Sequence, residues 1–317
     1  MIGVKIRLLD MRYFEKIYDQ VFLVDVGAPE LPQTFSCYVI IGEQVMIIDP
    51  GPPRYYKNLL NALDFLGIDR KLVKYIALTH IHIDHAGAAS LLIKALPNAR
   101  ILVHPSGVKH LIDPTRLWVS TREVLGDIAD FLGVPEPVNK EKIVAVEDYS
   151  LFHLNDNQTV LALHTPGHAR HHVSFFIKEE HILFAGDSVG LYVYDSSAPT
   201  TPPLFKLDLA LKSLRKMLRL DPSIIAYTHF GYSRGGCGDI IKYYGQLNLW
   251  YDIVKELIIK NCGEDDIFVT LLREDKLAST FLHNIRDNWF LKDAIERSLQ
   301  GFMQLVLSEE DKFRSSS

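Results

Sequence analysis

Short apolar blocks separated by Gly and Pro dominate residues 20–50. Residues 21–26, 36–41 and 45–49 are β-branched or aromatic runs, which predicts three strands with a tight hairpin at Gly42-Glu43. The run stops at Asp49-Pro50-Gly51-Pro52-Pro53, whose composition allows only a loop. The period then changes: Tyr55, Leu59, Leu60, Leu63 and Leu66 fall at helical spacing, and Gly67 closes that helix. Residues 73–79 read as a buried strand, 86–96 as a helix, and 101–104 as a short strand followed by a Pro-Ser-Gly loop. The stretch 113–133 is helical in pattern, with its exit at Pro135 and Pro137. Strands return at 159–164, 173–177, 182–185 and 224–228, interrupted by a helical stripe of Leu207, Leu211, Leu214 and Leu218. Strand and helix alternating in this way predict a layered α/β fold.

From about Asp239 the pattern is almost entirely helical, with three helices expected near 239–260, 265–284 and 288–308 and a first break at Asn261-Cys262-Gly263. This divides the chain into a body, 1–238, and a helical C-terminal extension, 239–317. The stretch 240–317 carries 10 basic and 13 acidic residues, so it offers nucleic acid no footing. It is expected to cap the body or to join two copies as a homodimer. The whole chain has a net charge of −5, which disfavours nucleic acid and anionic lipid as partners. No stretch approaches the ~20 apolar residues that span a bilayer. Arg7, Asp10 and Arg12 interrupt the start before an apolar run of signal-peptide length. The three cysteines, Cys37, Cys237 and Cys262, have no C-x-x-C spacing and fit inert thiols in a reducing cytoplasm.

The chemistry gathers at strand ends. Thr79-His80-Ile81-His82-Ile83-Asp84-His85 follows the strand 73–79 directly. On extended chain, residues i and i+2 point the same way, so His80 and His82 can grip one ion together. Asp84 and His85, displaced as the chain turns into a helix, can serve a second. Packing gains nothing from so many charged or half-titrating groups, whose desolvation is costly unless a cation compensates it. Two ions need more donors than these four. His168 in Thr165-Pro166-Gly167-His168 follows one strand, Asp187 in Gly186-Asp187 follows another, and His229 in Thr228-His229 follows a third. The two oxygens of Asp187 suit a bridging position.

The pattern His80-x-His82-x-Asp84-His85, with His168, Asp187 and His229 downstream, resembles the metallo-β-lactamase superfamily over roughly residues 20–235. The resemblance implies a four-layer αβ/βα sandwich. It also implies a first ion held by His80, His82 and His168, a second held by Asp84, His85 and His229, and Asp187 between them. Asp49 would be the buried acid that supports the ligands from behind. Asp187 stands where true β-lactamases usually carry Cys, so the resemblance is to the glyoxalase II, lactonase and RNase Z side. Tyr227-Thr228-His229 departs from the Pro-Gly-His of many relatives, which alters the loop beside the ligand.

The implied cofactor is a pair of divalent metal ions, zinc first, with iron or manganese suited to the same imidazole and carboxylate set. In such a site a bridging hydroxide attacks the electrophile, and Asp84 is both ligand and proton acceptor. Thr79 and His172 join Asp49 as supports, His171 faces the cleft or solvent, and Tyr192 and Tyr194 are candidates for the substrate cleft, with the polar loop 196–203 as its rim. His104, His110, His153, His164, His181 and His283 stand alone as structural residues. The expected activity is hydrolysis of a small ester, thioester or lactone. The alternatives are a phosphodiesterase or nuclease, and an iron-dependent oxidoreductase of the persulfide dioxygenase kind.

Overall fold

The structure, a computed structural model, describes residues 14–315; the segment with Arg7, Asp10 and Arg12, and the expectation placed on it, lie outside the described residues. Two mixed sheets face each other. The first begins as an antiparallel meander of β1 (Phe14–Tyr18), β2 (Val21–Asp25), β3 (Ser36–Ile41) and β4 (Val45–Ile48). It continues in parallel through β5 (Val73–Ala77), β6 (Arg100–Val103) and β7 (Ile143–Ala145). The second contains β8 (Leu151–Asn155), β9 (Gln158–His164), β10 (Val173–Ile177), β11 (Ile182–Gly186), β14 (Ile224–Tyr227) and β15 (Gly231–Ser233), in the order β15-β14-β11-β10-β9-β8. A separate hairpin pairs β12 (Leu191–Val193) with β13 (Ser196–Ala198).

The unbroken apolar runs follow from burial on both faces. On β3, Tyr38 and Ile40 enter the core between the sheets, while Cys37 and Val39 enter the core under the helices. Met46 and Ile48 of β4 divide from Val45 and Ile47 in the same way, as do Ile182 and Phe184 of β11 from Leu183 and Ala185. A strand sealed on both sides has no polar face, so it shows no alternation. The helices outside are α1 (Tyr56–Phe65), α2 (Ile83–Ala86), α3 (Ala89–Ala95), α4 (Val108–Ile112), α5 (Thr115–Leu125), α6 (Asp127–Leu132) and α7 (Leu207–Leu218). This is the expected four-layer αβ/βα sandwich.

Four helices follow, α8 (Cys237–Ile259), α9 (Glu264–Glu274), α10 (Lys276–Asn284) and α11 (Trp289–Ser315). Trp250, Phe281 and Phe302 of these helices belong to the same buried cluster as Leu59 of α1 and Leu214 of α7, so the extension packs continuously with the body. Among the described residues, no helix is long and apolar enough to cross a membrane. All three cysteines are free.

Several boundaries differ from the sequence reading. The helix expected over 113–133 breaks at Gly126, whose φ of 54° only glycine adopts cheaply. The helix expected over 265–284 breaks at Asp275, whose carboxylate caps α10 by accepting from the amides of Leu277 and Ala278. The loop expected over 196–203 begins as β13 and is largely buried, because Ser196-Ser197-Ala198 carries no strand signal of its own yet pairs with β12.

Strand direction positions the site. β4 and β5 are parallel, and so are β11 and β14; β9 runs antiparallel to β10, which runs antiparallel to β11, so β9 and β11 share a direction. The carboxyl ends that precede Asp49, Thr79, His168, Asp187 and His229 therefore meet along one edge, the place where open α/β sheets carry their ligands. Two backbone bonds tie the sheets there: Ser36 N–H donates to Thr228 O (2.8 Å) and Val173 N–H to Thr79 O (2.7 Å).

The buried Asp275 also accepts from Trp250 Nε1 (2.7 Å) and Gln246 Nε2 (2.8 Å), so it joins α8 to the α9–α10 corner. Asp275→Ala is expected to cost about 3 kcal/mol, from a lost cap and two orphaned buried donors, read by urea denaturation. A loss below about 0.5 kcal/mol, the level of an ordinary surface substitution, would contradict this assignment.

Candidate metal centre

Asp49 sits at the end of β4 with φ of 49°, in the left-handed region that most side chains avoid. That conformation turns its carboxylate into the gap between the sheets, where it is 1% exposed. Oδ1 accepts from the amide of Thr79 (2.8 Å). Oδ2 accepts from the hydroxyls of Thr79 (2.7 Å) and Thr228 (3.0 Å) and from His85 Nδ1 (3.0 Å). One buried acid thus joins the ends of β4, β5 and β14. The sequence marks Thr228 only as a departure beside His229; its role as a donor to Asp49 shows once the acid it faces is known.

The outer nitrogen of each ring settles what the inner one presents. Thr79 gives its only hydroxyl proton to Asp49, so the same oxygen accepts from His80 Nδ1 at 3.0 Å. His168 Nδ1 donates to Thr200 O (2.8 Å), and His229 Nδ1 donates to Thr34 O (2.9 Å). His80, His168 and His229 therefore turn Nε2 lone pairs inward. His80 Nε2 and His168 Nε2 approach His82 Nδ1 at 2.9 and 3.2 Å, and His229 Nε2 approaches His85 Nε2 at 3.2 Å. Lone pairs this close repel unless a proton or a cation lies between them. Thr34 and Thr200 act through backbone carbonyls, which any residue type supplies, so nothing in the sequence marks them.

The seven side chains named from the sequence come together. His80, His82 and His168 form one group of converging donor atoms, Asp84, His85 and His229 another, and His80, His85 and Asp187 a third between them. Within each group the donor atoms lie within 4.8 Å of one another. Asp187 lies 3.4 Å from His168 Nε2 through Oδ2 and 3.5 Å from His85 Nε2 through Oδ1. Its Oδ1 is buried without any hydrogen-bond partner. An orphaned carboxylate oxygen facing imidazole lone pairs is the signature of a donor set that fits cations.

The electrostatics agree. Burial holds His80, His82 and His168 below their ordinary range, each as a neutral potential ligand. Burial also pulls down His85, but Asp187, Asp84 and Asp49 outweigh it and push His85 up to about 10. Burial raises the Asp84 carboxyl, yet His85, His229 and His82 outweigh that and hold it well below the usual carboxylate range. Without ions, then, the proton on His85 supplies positive charge that the three acids require.

With this geometry in place, comparison with known proteins is decisive about family. Residues 33–229 match the family described as the metallo-beta-lactamase superfamily. The chain belongs to that superfamily. Among its relatives is the metallo-beta-lactamase fold-containing protein ST1585 of Sulfurisphaera tokodaii, 32% identical over 66% of this chain and 77% of that protein. The crystal structure of ST1585 superposes with a TM-score of 0.63 at 30% identity, covering 71% of this chain and 85% of the other. TTHA1429 of Thermus thermophilus, a metallo-beta-lactamase family protein, has the same fold at 19% identity, with a TM-score of 0.67 over 93% of this chain and 95% of that one. The atrochrysone carboxyl ACP thioesterase AacuM of Aspergillus aculeatus is 24% identical over 67% of this chain and 55% of its own length.

Other residues of this metallo-beta-lactamase superfamily member support the cluster. His172, fully buried, accepts from the Asp187 amide through Nε2 (3.1 Å) and faces Thr165 and Ser188 through Nδ1 (both 2.9 Å). A Cβ on Gly186 would lie 2.6 Å from that Nε2, so only glycine lets Asp187 approach. His171 accepts a long bond from the Ile81 amide (3.4 Å) and remains half-buried beside His80 and His82. The phenols do not join the cluster: Tyr192 donates to Asp195 (2.7 Å) and stacks on Tyr227, and Tyr194 donates to Gln33 (2.6 Å). His104 and His164 are not solitary, since their rings lie 4.4 Å apart.

Two outcomes follow from this network. Asp49→Asn cannot satisfy all four donors, and about 10- to 100-fold weaker metal binding is expected, measured by competition with a chelator of known affinity; unchanged affinity would contradict the role of Asp49. Ion-stripped protein is expected to be most stable near about pH 6.5, the ordinary histidine range. Below it the folded state must protonate His80, His82, His168 and His172, which it keeps neutral. Above it the stabilisation from protonated His85 is lost as pH rises towards about 10. Denaturation midpoints across pH, with and without added zinc, check this, and a metal-free curve that rises steadily to about pH 9, well above the ordinary histidine range, would contradict it.

Proposed function

We propose that the protein is a binuclear metal-dependent hydrolase of a small ester, thioester or lactone. The observation that carries this reading is the convergence of His80, His82, Asp84, His85, His168, Asp187 and His229, with inward lone pairs and an orphaned Asp187 oxygen. His80, His82 and His168 would hold one divalent ion, Asp84, His85 and His229 the other, and Asp187 would bridge them. Imidazole and carboxylate donors suit zinc first, with iron or manganese compatible. When bound, such a pair lowers the pKa of water from about 16 towards about 7 and supplies Lewis acidity to an acyl oxygen.

The chain's own residues do the rest. Asp84, at 13% side-chain exposure against 4% for Asp187, is the cluster acid nearer to solvent. That exposure leaves it placed to receive a proton from the attacking water and pass it to the leaving group. Asp49, Thr79, Thr34 and Thr200 fix ring orientation and exclude the competing tautomers. His172 holds the backbone of Asp187. The thioesterase relative supports acyl transfer to water, and the acidic charge balance of the chain speaks against a polyanionic substrate.

His82→Ala is expected to abolish turnover of p-nitrophenyl acetate, a simple thioester and a lactone alike, and to lower metal content, while circular dichroism stays native. Full metal content with lost activity would contradict the assignment of His82 as a ligand. Turnover of bis-p-nitrophenyl phosphate above the acyl substrates would replace this reading with a phosphodiesterase.

A further inference from the structure

The last helix reaches the metal-site loops at two points. At one end Asn288 Nδ2 donates to Thr34 Oγ1 (2.6 Å), while Thr34 O holds His229. Next to it the Phe290 ring lies 5.8 Å from that of His229. At the other end Ser298 Oγ donates to Pro199 O (2.8 Å) and accepts from Thr201 N–H (3.1 Å), on either side of the Thr200 carbonyl that holds His168. Gly301 continues that contact, since a Cβ there would lie 1.7 Å from Thr201 O. Two turns of helix separate Phe290 from Arg297, and one turn separates Arg297 from Gly301, so all three share a face. Arg297 thus stands between the anchor beside His229 and the anchor beside His168.

A guanidinium there is unusual. Its side chain is only 14% exposed and pairs with Asp293, one turn earlier. An i, i+4 ion pair needs no more than a solvated helix face, and burying one costs desolvation that the pair alone repays poorly. Only one nitrogen of Arg297 meets Asp293, and no other protein partner engages the remaining donors among the described residues. Burial pulls the guanidinium down to about 10, which leaves it protonated at neutral pH, and the Asp84 carboxylate opposes the fall. The group therefore stands between the two anchors on the metal-site loops while keeping donors free.

We propose, resting on the hydrolase reading above, that Arg297 anchors a carboxylate carried by the substrate, so that the preferred substrate is a half-ester or half-thioester of a small dicarboxylic acid. A planar fork with free parallel N–H groups matches a carboxylate in two bonds, which a lysine ammonium does not reproduce.

The test compares succinyl and butyryl thioesters on the same pantetheine leaving group, with butyryl phosphopantetheine as a third substrate, using metal-replete protein. Wild type is expected to favour succinyl over butyryl by about 10- to 100-fold in kcat/KM, the range of a charge-assisted pair. In Arg297→Met that ratio is expected to fall to near one, and in Arg297→Lys to lose most of its size. Binding of succinate against butyrate, followed by calorimetry on the same proteins, should show the same loss without turnover. A ratio near one in wild type, or one unchanged in Arg297→Met and Arg297→Lys, overturns the proposal. A preference for phosphopantetheine over pantetheine with no acyl preference overturns the carboxylate assignment in favour of phosphate. If these thioesters, p-nitrophenyl acetate and a lactone all go unhydrolysed, the hydrolase reading fails, while loss of succinate binding in the variants still decides the role of Arg297.

Discussion

Imidazole lone pairs turned toward one another, with three carboxylates packed against them, cannot be left alone in a protein interior. The inner nitrogens of His80, His168 and His229 are committed to face inward by the acceptors at their outer nitrogens. Asp49 and Asp187, both buried, and the partly exposed Asp84 add negative charge around them. Such an arrangement is stable only with positive charge at its centre. In the ion-free protein that charge is the proton His85 keeps. A divalent ion supplies more of it, and with geometry that a proton lacks.

The rest of the architecture reads as a means of holding this imbalance in place. Parallel pairing brings the carboxyl ends of β4 and β5, and of β11 and β14, to one edge. Asp49 fastens three of those ends with a single carboxylate. The C-terminal helices add a wall: Asn288, just before α11, touches Thr34, and Ser298 of α11 touches the 199–201 loop, so the segments whose carbonyls orient His229 and His168 are themselves held by it. The extension therefore takes part in the site of its own chain, whatever it does for assembly.

Much of this is legible from residues alone, and for identifiable reasons. The cluster His80–His85 is dense in donors within a short stretch of chain, so chance and packing explain it poorly. His168, Asp187 and His229 each follow an apolar strand and can be gathered by the rule that strand ends carry ligands. What stays hidden has no side-chain signature. The carbonyls of Thr34 and Thr200 could belong to any residue, Thr228 matters only because of Asp49, and Ser196-Ser197-Ala198 becomes a strand only through β12. The face of α11 that meets the site has the same apolar spacing as a face that meets an ordinary core, so nothing in the pattern separates Phe290 and Arg297 from other helix residues. The phenols of Tyr192 and Tyr194 point the other way: nearness to Asp187 along the chain does not bring their hydroxyls to the cluster.

Anomalous X-ray scattering from crystals of the metal-loaded protein, collected on both sides of the absorption edge, tests the central claim most directly. Two peaks are expected, one among His80, His82 and His168 and one among Asp84, His85 and His229, with the Asp187 carboxylate between them. A single peak away from Asp187, or full metal content located elsewhere in the chain, would contradict it.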